Sequence, residues 1–261
     1  MGVASRRRFA ILVAGWPGPE VMKRYGGFGE MIEGLLRSGP HETWTSFDVE
    51  GGREMPSLEV LKSFDGIVVS GSRHSVYDAD EAWINDVSAM LRDAADRKQK
   101  VLGICFGAQL LAQTLGGSVT KAPTGWEAGA RRVNVNVDAL NRLKYVDDTK
   151  FFSTSSYDVY ELHRDAVVRL PEGAELLGSS PRCENELFAI GDHVLAVQGH
   201  PEFQPETLND LIASRVPHLI PQQDADIAAD SLATFSPPSP SDNERTNPLR
   251  ALCKSFLSSS S

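Results

Sequence analysis

Cysteine is scarce in this chain, with three residues in 261: Cys105, Cys183 and Cys253. Three thiols cannot all pair, and none stands in a Cys-x-x-Cys spacing, so neither a disulfide framework nor a metal site is expected. No apolar run approaches the ~20 residues of a membrane-spanning helix. Basic residues are also in deficit, 26 Lys and Arg against 35 Asp and Glu for a net charge of -9. A nucleic-acid surface draws its affinity from clustered cations, so such a partner is not expected, and the triplet Arg6-Arg7-Arg8 is too short to supply one. Residues 6–14 imitate the charged and apolar regions of a secretory signal, but the run breaks at Trp16-Pro17-Gly18-Pro19 with no small-x-small cleavage site after it. Met1-Gly2 lacks the Ser or Thr at position 6 that myristoylation requires. These absences lead to the expectation of a cytosolic protein in a reducing compartment, without membrane, nucleic acid, metal or cofactor.

What is present is the composition of an ordinary soluble globule, 41% apolar and 23% charged, long enough for one α/β domain of about 200 residues with an extension. Continuous apolar runs at 9–14, 66–69 and 101–104 have the length of parallel strands buried on both faces. Helical spacing at 30–37, 58–64, 79–98 and 106–115 alternates with them, and 43–49 reads as a further strand. The stretch 16–29 holds six Gly or Pro residues and reads as one long loop. Beyond residue 118 the pattern changes. Arg131-Arg-Val-Asn-Val-Asn-Val137 alternates with period two, as a half-exposed antiparallel strand does, and shorter strands follow near 175–179, 186–190 and 194–198. Residues 207–215 read as a helix. From 217 to 245 the composition is too polar for a core, while 247–257 has Leu249, Leu252, Cys253 and Phe256 at helical spacing and is expected to dock. The expected division is therefore a catalytic domain over 1–216 and a C-terminal extension over 217–261.

The chain is organised around Cys105. It stands on the turn between the strand 101–104 and the helix 106–115, with Gly103 and Gly107 at minus two and plus two, the spacing of a nucleophile elbow. The helix dipole there favours thiolate, and the tight turn is expected to push the sulfur outward. A cysteine nucleophile needs a base and the base needs a carboxylate. The strand 194–198 ends directly in His200 and Glu202, which suit those two parts. His163 is expected to be held structurally by hydrogen bonds, since His200 already has its carboxylate. Ser70-Gly71-Ser72, after the strand 66–69, is a small-residue turn at the carboxyl end of a strand, where open α/β sheets bind ligands.

Gly103-Ile-Cys-Phe-Gly-Ala-Gln109, followed 95 positions after the cysteine by His200-Pro-Glu202, resembles the class I glutamine amidotransferase family. Tyr25-Gly-Gly-Phe28, Asp65-Gly-Ile-Val-Val-Ser-Gly-Ser72, Val197-Gln-Gly-His-Pro-Glu202 and Leu252-Cys-Lys-Ser-Phe256 further resemble its plant γ-glutamyl peptidase branch. The resemblance implies a flavodoxin-like α/β fold, a mostly parallel central sheet flanked by helices with an added antiparallel sheet. It implies a Cys105, His200, Glu202 triad, an oxyanion hole from the N–H groups of Gly71 and Phe106, and substrate contacts at Gln109, Ser70 and Ser72. Ala108 departs from the pattern, since amidotransferases commonly carry histidine there. The implied activity is cleavage of the γ-glutamyl bond of glutathione or its conjugates, with stretches 16–29 and 157–165 as the expected walls of the crevice. A glutaminase subunit that feeds ammonia to a separate synthetase is the alternative, and a cysteine sensor without enzymatic activity is a weaker one.

Overall fold

The computed structural model describes residues 6–78, 80–146, 155–216, 218–242 and 247–259. In chain order the first half runs β1 (Arg7–Val13), α1 (Pro19–Tyr25), α2 (Phe28–Leu36), β2 (Glu42–Asp48), α3 (Leu58–Lys62), β3 (Gly66–Val69), α4 (Ala82–Asp96), β4 (Lys100–Ile104) and α5 (Phe106–Thr114). The second half runs β5 (Ser118–Lys121), β6 (Glu127–Val135), α6 (Val137–Leu140), β7 (Ser156–His163), β8 (Asp165–Arg169), β9 (Ala174–Ser179), β10 (Leu187–Ile190), β11 (Val194–Val197), α7 (Pro205–Arg215), α8 (Gln222–Thr234) and α9 (Pro248–Ser258). The main sheet has the order β2-β1-β3-β4-β11-β10-β9-β6-β7. Its first five strands are parallel and the remaining pairings antiparallel, while β5 and β8 form a separate antiparallel pair. The architecture is thus α/β, with the doubly wound beginning 2-1-3-4 completed by a strand that arrives late in the chain.

Continuous apolar runs suit strands covered on both faces, because successive side chains point to opposite sides. Phe9 and Ile11 of β1 pack with Ile32 and Leu35 of α2 and Phe256 of α9. Ala10 and Leu12 face the other way, toward Trp83, Ile84, Val87 and Leu91 of α4 and Leu110 of α5. The stripe on α4 is core, as its spacing predicts, although the helix begins at Ala82 and Ala79 lies outside the described residues.

Three expectations need correction. The stretch 16–29 is not one loop, for Pro19 opens α1 from its first turn, where a missing N–H costs nothing, and Gly27 then starts α2 with its N–H donated to Glu30. The period-two strand is longer on its amino side, starting at Glu127, and stops at Val135 because Asn136 caps α6 by accepting the Ala139 N–H at 3.0 Å. The polar stretch after 217 contains α8, which lies against β6; residues 217 and 243–246 are outside the described part. That helix buries only the small residues Ala228 and Ser231, and its contact is a backbone approach at Gly129, where a Cβ would fall 2.1 Å from the Ser231 oxygen. The Ser231 hydroxyl accepts the Ala130 N–H at 2.9 Å and donates to the Ala228 carbonyl at 2.6 Å. Helix α9 docks as its spacing predicts, with Leu249, Leu252, Cys253 and Phe256 all buried.

Two substitutions measure these dockings. Phe256→Ala should destabilise the fold by about 3–5 kcal/mol, the usual cost of emptying a fully buried aromatic site. Gly129→Val should cost at least ~1–3 kcal/mol through overpacking against α8. Urea denaturation reports both, and an unchanged midpoint in either variant would show that the helix concerned is not seated as described.

Candidate active site

Three neighbouring strands, β3, β4 and β11, end at the same edge of the sheet, and each is followed by one part of the site. After β4 the chain reverses into α5 at Cys105, whose φ of 53° and ψ of -107° lie where non-glycine residues are strained. The turn closes because its neighbours have no side chains. A Cβ on Gly103 would sit 2.5 Å from the Gly107 carbonyl, and one on Gly107 would sit 2.4 Å from the Val69 carbonyl. The Cys105 N–H donates to the Val197 carbonyl at 2.8 Å, tying the turn to β11. The sulfur is not pushed to the surface as expected. Cys105 is only 4% exposed, at the floor of a cavity, and Cys183 and Cys253 are buried elsewhere.

After β11, His200 and Glu202 come to the same place. The His200 Nδ1 proton is shared with Glu202 Oε1 at 2.7 Å, which leaves the other ring nitrogen for the Cys105 thiol, within hydrogen-bond reach. The His200 ring lies flat on Phe203, with centroids 4.1 Å apart and planes 4° from parallel, and the backbone N–H of His200 donates to the Tyr160 carbonyl at 2.7 Å. Burial alone would lower the imidazole pKa, but the Cys105 sulfur and the Glu202 carboxylate outweigh it and raise it to about 10.

After β3, Gly71 completes the contact. A Cβ there would meet His200 Cε1 at 2.9 Å, so only glycine lets this backbone lie beside the histidine and Cys105. Phe106 is the first residue of α5, a position whose N–H has no intrahelical acceptor. Ser72 lines the cavity. Ser70 does not: it is fully buried, and its hydroxyl accepts the Ala14 N–H and donates to the Gly71 carbonyl. Gln109 reaches the cavity wall, but its amide donates to the Asp165 carbonyl at 2.8 Å and to Gln198 at 3.1 Å, so it braces the wall.

The cavity has a volume of about 180 Å³. Residues 162–165 form one wall, as the sequence led one to expect, with residues 72–75, Lys121, Trp126, Arg215 and Leu219; of the stretch 16–29, Phe28 alone comes near, lining a small recess at Gly71 and His200 that shares Ser72, Leu162 and Arg215 with the cavity. The two walls are clasped, since the Ser75 hydroxyl and the Tyr77 hydroxyl both donate to the Asp165 carboxylate. His163 is held by hydrogen bonding: its Nδ1 proton goes to the Asp165 carbonyl at 2.9 Å, and Nε2 faces Glu161 at 3.3 Å. Behind it Glu127, Glu161 and Glu186 are buried together, and burial with mutual repulsion drives Glu161 and Glu186 well above the carboxylate range.

Comparison with known proteins fits this geometry. The glutamine amidotransferase class-I family model matches residues 44–216. The chain belongs to that family. It is 35% identical over 259 residues to gamma-glutamyl peptidase 3 of Arabidopsis thaliana, covering 98% of both chains, and 34% identical over 254 residues to gamma-glutamyl peptidase 2 of the same plant, covering 96% of both. A glutamine amidotransferase structure from Thermotoga maritima superposes with a TM-score of 0.71 at 22% identity, over 98% of this chain and all of the other. In this class I amidotransferase chain Ala108, which departs from the family's usual histidine, is 1% exposed within the core beneath α5 and does not line the cavity.

The cationic lining of the cavity escaped the sequence reading: Arg73, Lys121, Arg164 and Arg215. They come from four distant segments, and no local spacing marks them. Arg215 ends α7; burial lowers its pKa, the nearby Cys105 opposes that, and Arg73 adds to it. Among the described residues Lys121, Arg164 and Arg215 have no carboxylate within ion-pair distance, and Arg73 has only Glu50 at 3.7 Å.

Because the sulfur is the largest influence raising the His200 pKa, Cys105→Ala should let that imidazole lose its proton at a lower pH than in the native chain, where it stays protonated through pH 8. NMR titration of the ring decides this, and identical titration in both proteins would rule out the pairing. Because only Cys105 among the three buried thiols borders the cavity, iodoacetamide should alkylate it before Cys183 or Cys253, as peptide mapping will show.

Proposed function

We propose that this chain hydrolyses the γ-glutamyl amide bond of glutathione or its S-conjugates through a γ-glutamyl thioester on Cys105. In this reading the Cys105 thiolate attacks the γ-carbonyl, and the N–H groups of Gly71 and Phe106 receive the oxyanion. Protonated His200, its ring fixed by Glu202, gives its proton to the departing amine. Water then attacks the thioester with His200 as base, and glutamate leaves. In this scheme Gln109 braces the cavity wall, Ser70 holds the Gly71 turn from behind, and Ser72 faces the substrate.

The observation that carries the choice of substrate is the charge of the cavity. A protein of net charge -9 places four cationic side chains around its candidate nucleophile, three of them without a carboxylate partner among the described residues. Glutamine bears one carboxylate and one ammonium and is neutral overall. Glutathione bears a second carboxylate at the far end of its leaving portion. A charge-assisted hydrogen bond to that group contributes about 1.5–3 kcal/mol, and such remote contacts can lower the barrier. The names of the Arabidopsis relatives, gamma-glutamyl peptidases, agree with this reading.

Purified chain without any partner should therefore turn over glutathione with kcat/KM about 10–100-fold above that for glutamine. Cys105→Ala should lose at least about 10⁴-fold in kcat. Glutamate release measured by mass spectrometry tests both. A preference for glutamine, or one that emerges only when a synthetase is added, would favour the ammonia-supplying alternative.

A further inference from the structure

The cavity has two cationic sides. Arg215 feels the charges of Arg73 and of the Cys105 sulfur, and all three residues line the cavity. Lys121 and Arg164 belong to the small β5–β8 sheet: Lys121 ends β5 opposite Asp165, and Arg164 precedes β8. The Arg164 guanidinium donates to the Ala122 carbonyl at 2.7 Å and the Ala122 N–H donates to the Arg164 carbonyl at 2.9 Å, so the two cations are carried on one braced unit. Lys121 is exposed at the end of β5, whereas Arg215 is half-buried and feels the Cys105 sulfur, so the small-sheet cations stand on the more open side of the nucleophile. A leaving amine of variable length has to face the open side, whereas the γ-glutamyl head, of fixed length, occupies the enclosed one.

We propose that Lys121 and Arg164 form a carboxylate-recognising subsite for the amine side of the scissile bond, and that this subsite also admits free peptides as acceptors, making the chain a γ-glutamyl transferase as well as a hydrolase. This rests on the hydrolase reading above. By microscopic reversibility, whatever binds a departing dipeptide binds an arriving one. Cys105, His200 and Glu202 are each 4% exposed or less, and Cys105 borders a space of about 180 Å³, which has room for several waters. A dipeptide anchored there by its carboxylate displaces much of that water and presents its amine at high effective concentration.

The step balances without any further reagent. The acceptor's neutral amine nitrogen attacks the thioester carbonyl, a C–N bond forms and the C–S bond breaks. The surplus amine proton passes to His200, and Cys105 regains its thiolate. Acylation has removed the sulfur charge that raises the His200 pKa, so the imidazole is free to accept that proton. A peptide α-amino group has a pKa of about 7.7–8.0, so transfer should gain on hydrolysis as pH rises through that range.

The test incubates the full chain with glutathione and increasing glycylglycine and quantifies glutamate and γ-glutamylglycylglycine by mass spectrometry. The transfer product should rise with acceptor to a plateau, and glycylglycine amide, which lacks the carboxylate, should be about tenfold poorer. Lys121→Ala and Arg164→Ala should each lower the ratio of transfer to hydrolysis severalfold, and Lys121→Arg should restore most of it. Glutamate release with no transfer product at tens of millimolar glycylglycine would overturn the acceptor subsite alone. Equal use of glycylglycine and its amide would overturn the role given to Lys121 and Arg164. No consumption of glutathione at all would overturn the hydrolase reading beneath both.

Discussion

The geometry of this protein depends on one close approach of backbones. Cys105 holds dihedral angles that cost of order 1–3 kcal/mol, and they persist because the chain on either side has nowhere else to go. Gly103 packs on Gly107, Gly107 on the Val69 carbonyl, and the Cys105 N–H is bound by Val197. The strained residue is thus fixed by three adjacent parallel strands at once. The same three strands deliver Gly71, Cys105 and His200, so the compression that strains the turn also sets the distances within the site.

The site itself is an electrostatic compromise. His200, Glu202 and Cys105 are nearly withdrawn from water, which by itself opposes charge on all three. Mutual compensation keeps the histidine protonated, with Glu202 on one ring nitrogen and the sulfur on the other. The cations of the cavity walls extend that pattern outward, so an anionic group in the cavity would meet a field opposite in sign to that of the protein as a whole.

How far the sequence exposed this depends on whether the signal is local. The strand, Cys105 and helix are contiguous, and the glycines at minus two and plus two are visible as spacing, so the elbow was legible. His200 and Glu202 were legible because a strand runs straight into them. Buried strands and the face of α4 announced themselves by periodicity, and α9 by four apolar residues at helical intervals. The burial of Cys105 was not legible, since exposure is decided by elements that fold over the turn. Arg215, Arg73, Lys121 and Arg164 are single residues brought together only by the tertiary fold. Helix α8 was missed for a related reason: it docks through Ala228, Ser231 and the bare backbone at Gly129, leaving no large apolar stripe to read.

The clasp of Ser75 and Tyr77 on Asp165 has an evolutionary consequence. Hydrogen bonds have nearly fixed lengths, whereas apolar contacts shift with side-chain volume. The gap between the two walls is therefore set by a ruler independent of the residues at the rim. Positions such as Trp126 and Leu219 are free to vary in size and hydrophobicity without opening or closing the cleft. A lineage carrying this clasp could diversify the molecules it accepts by changing its rim one residue at a time, while the distance from rim to sulfur stays constant.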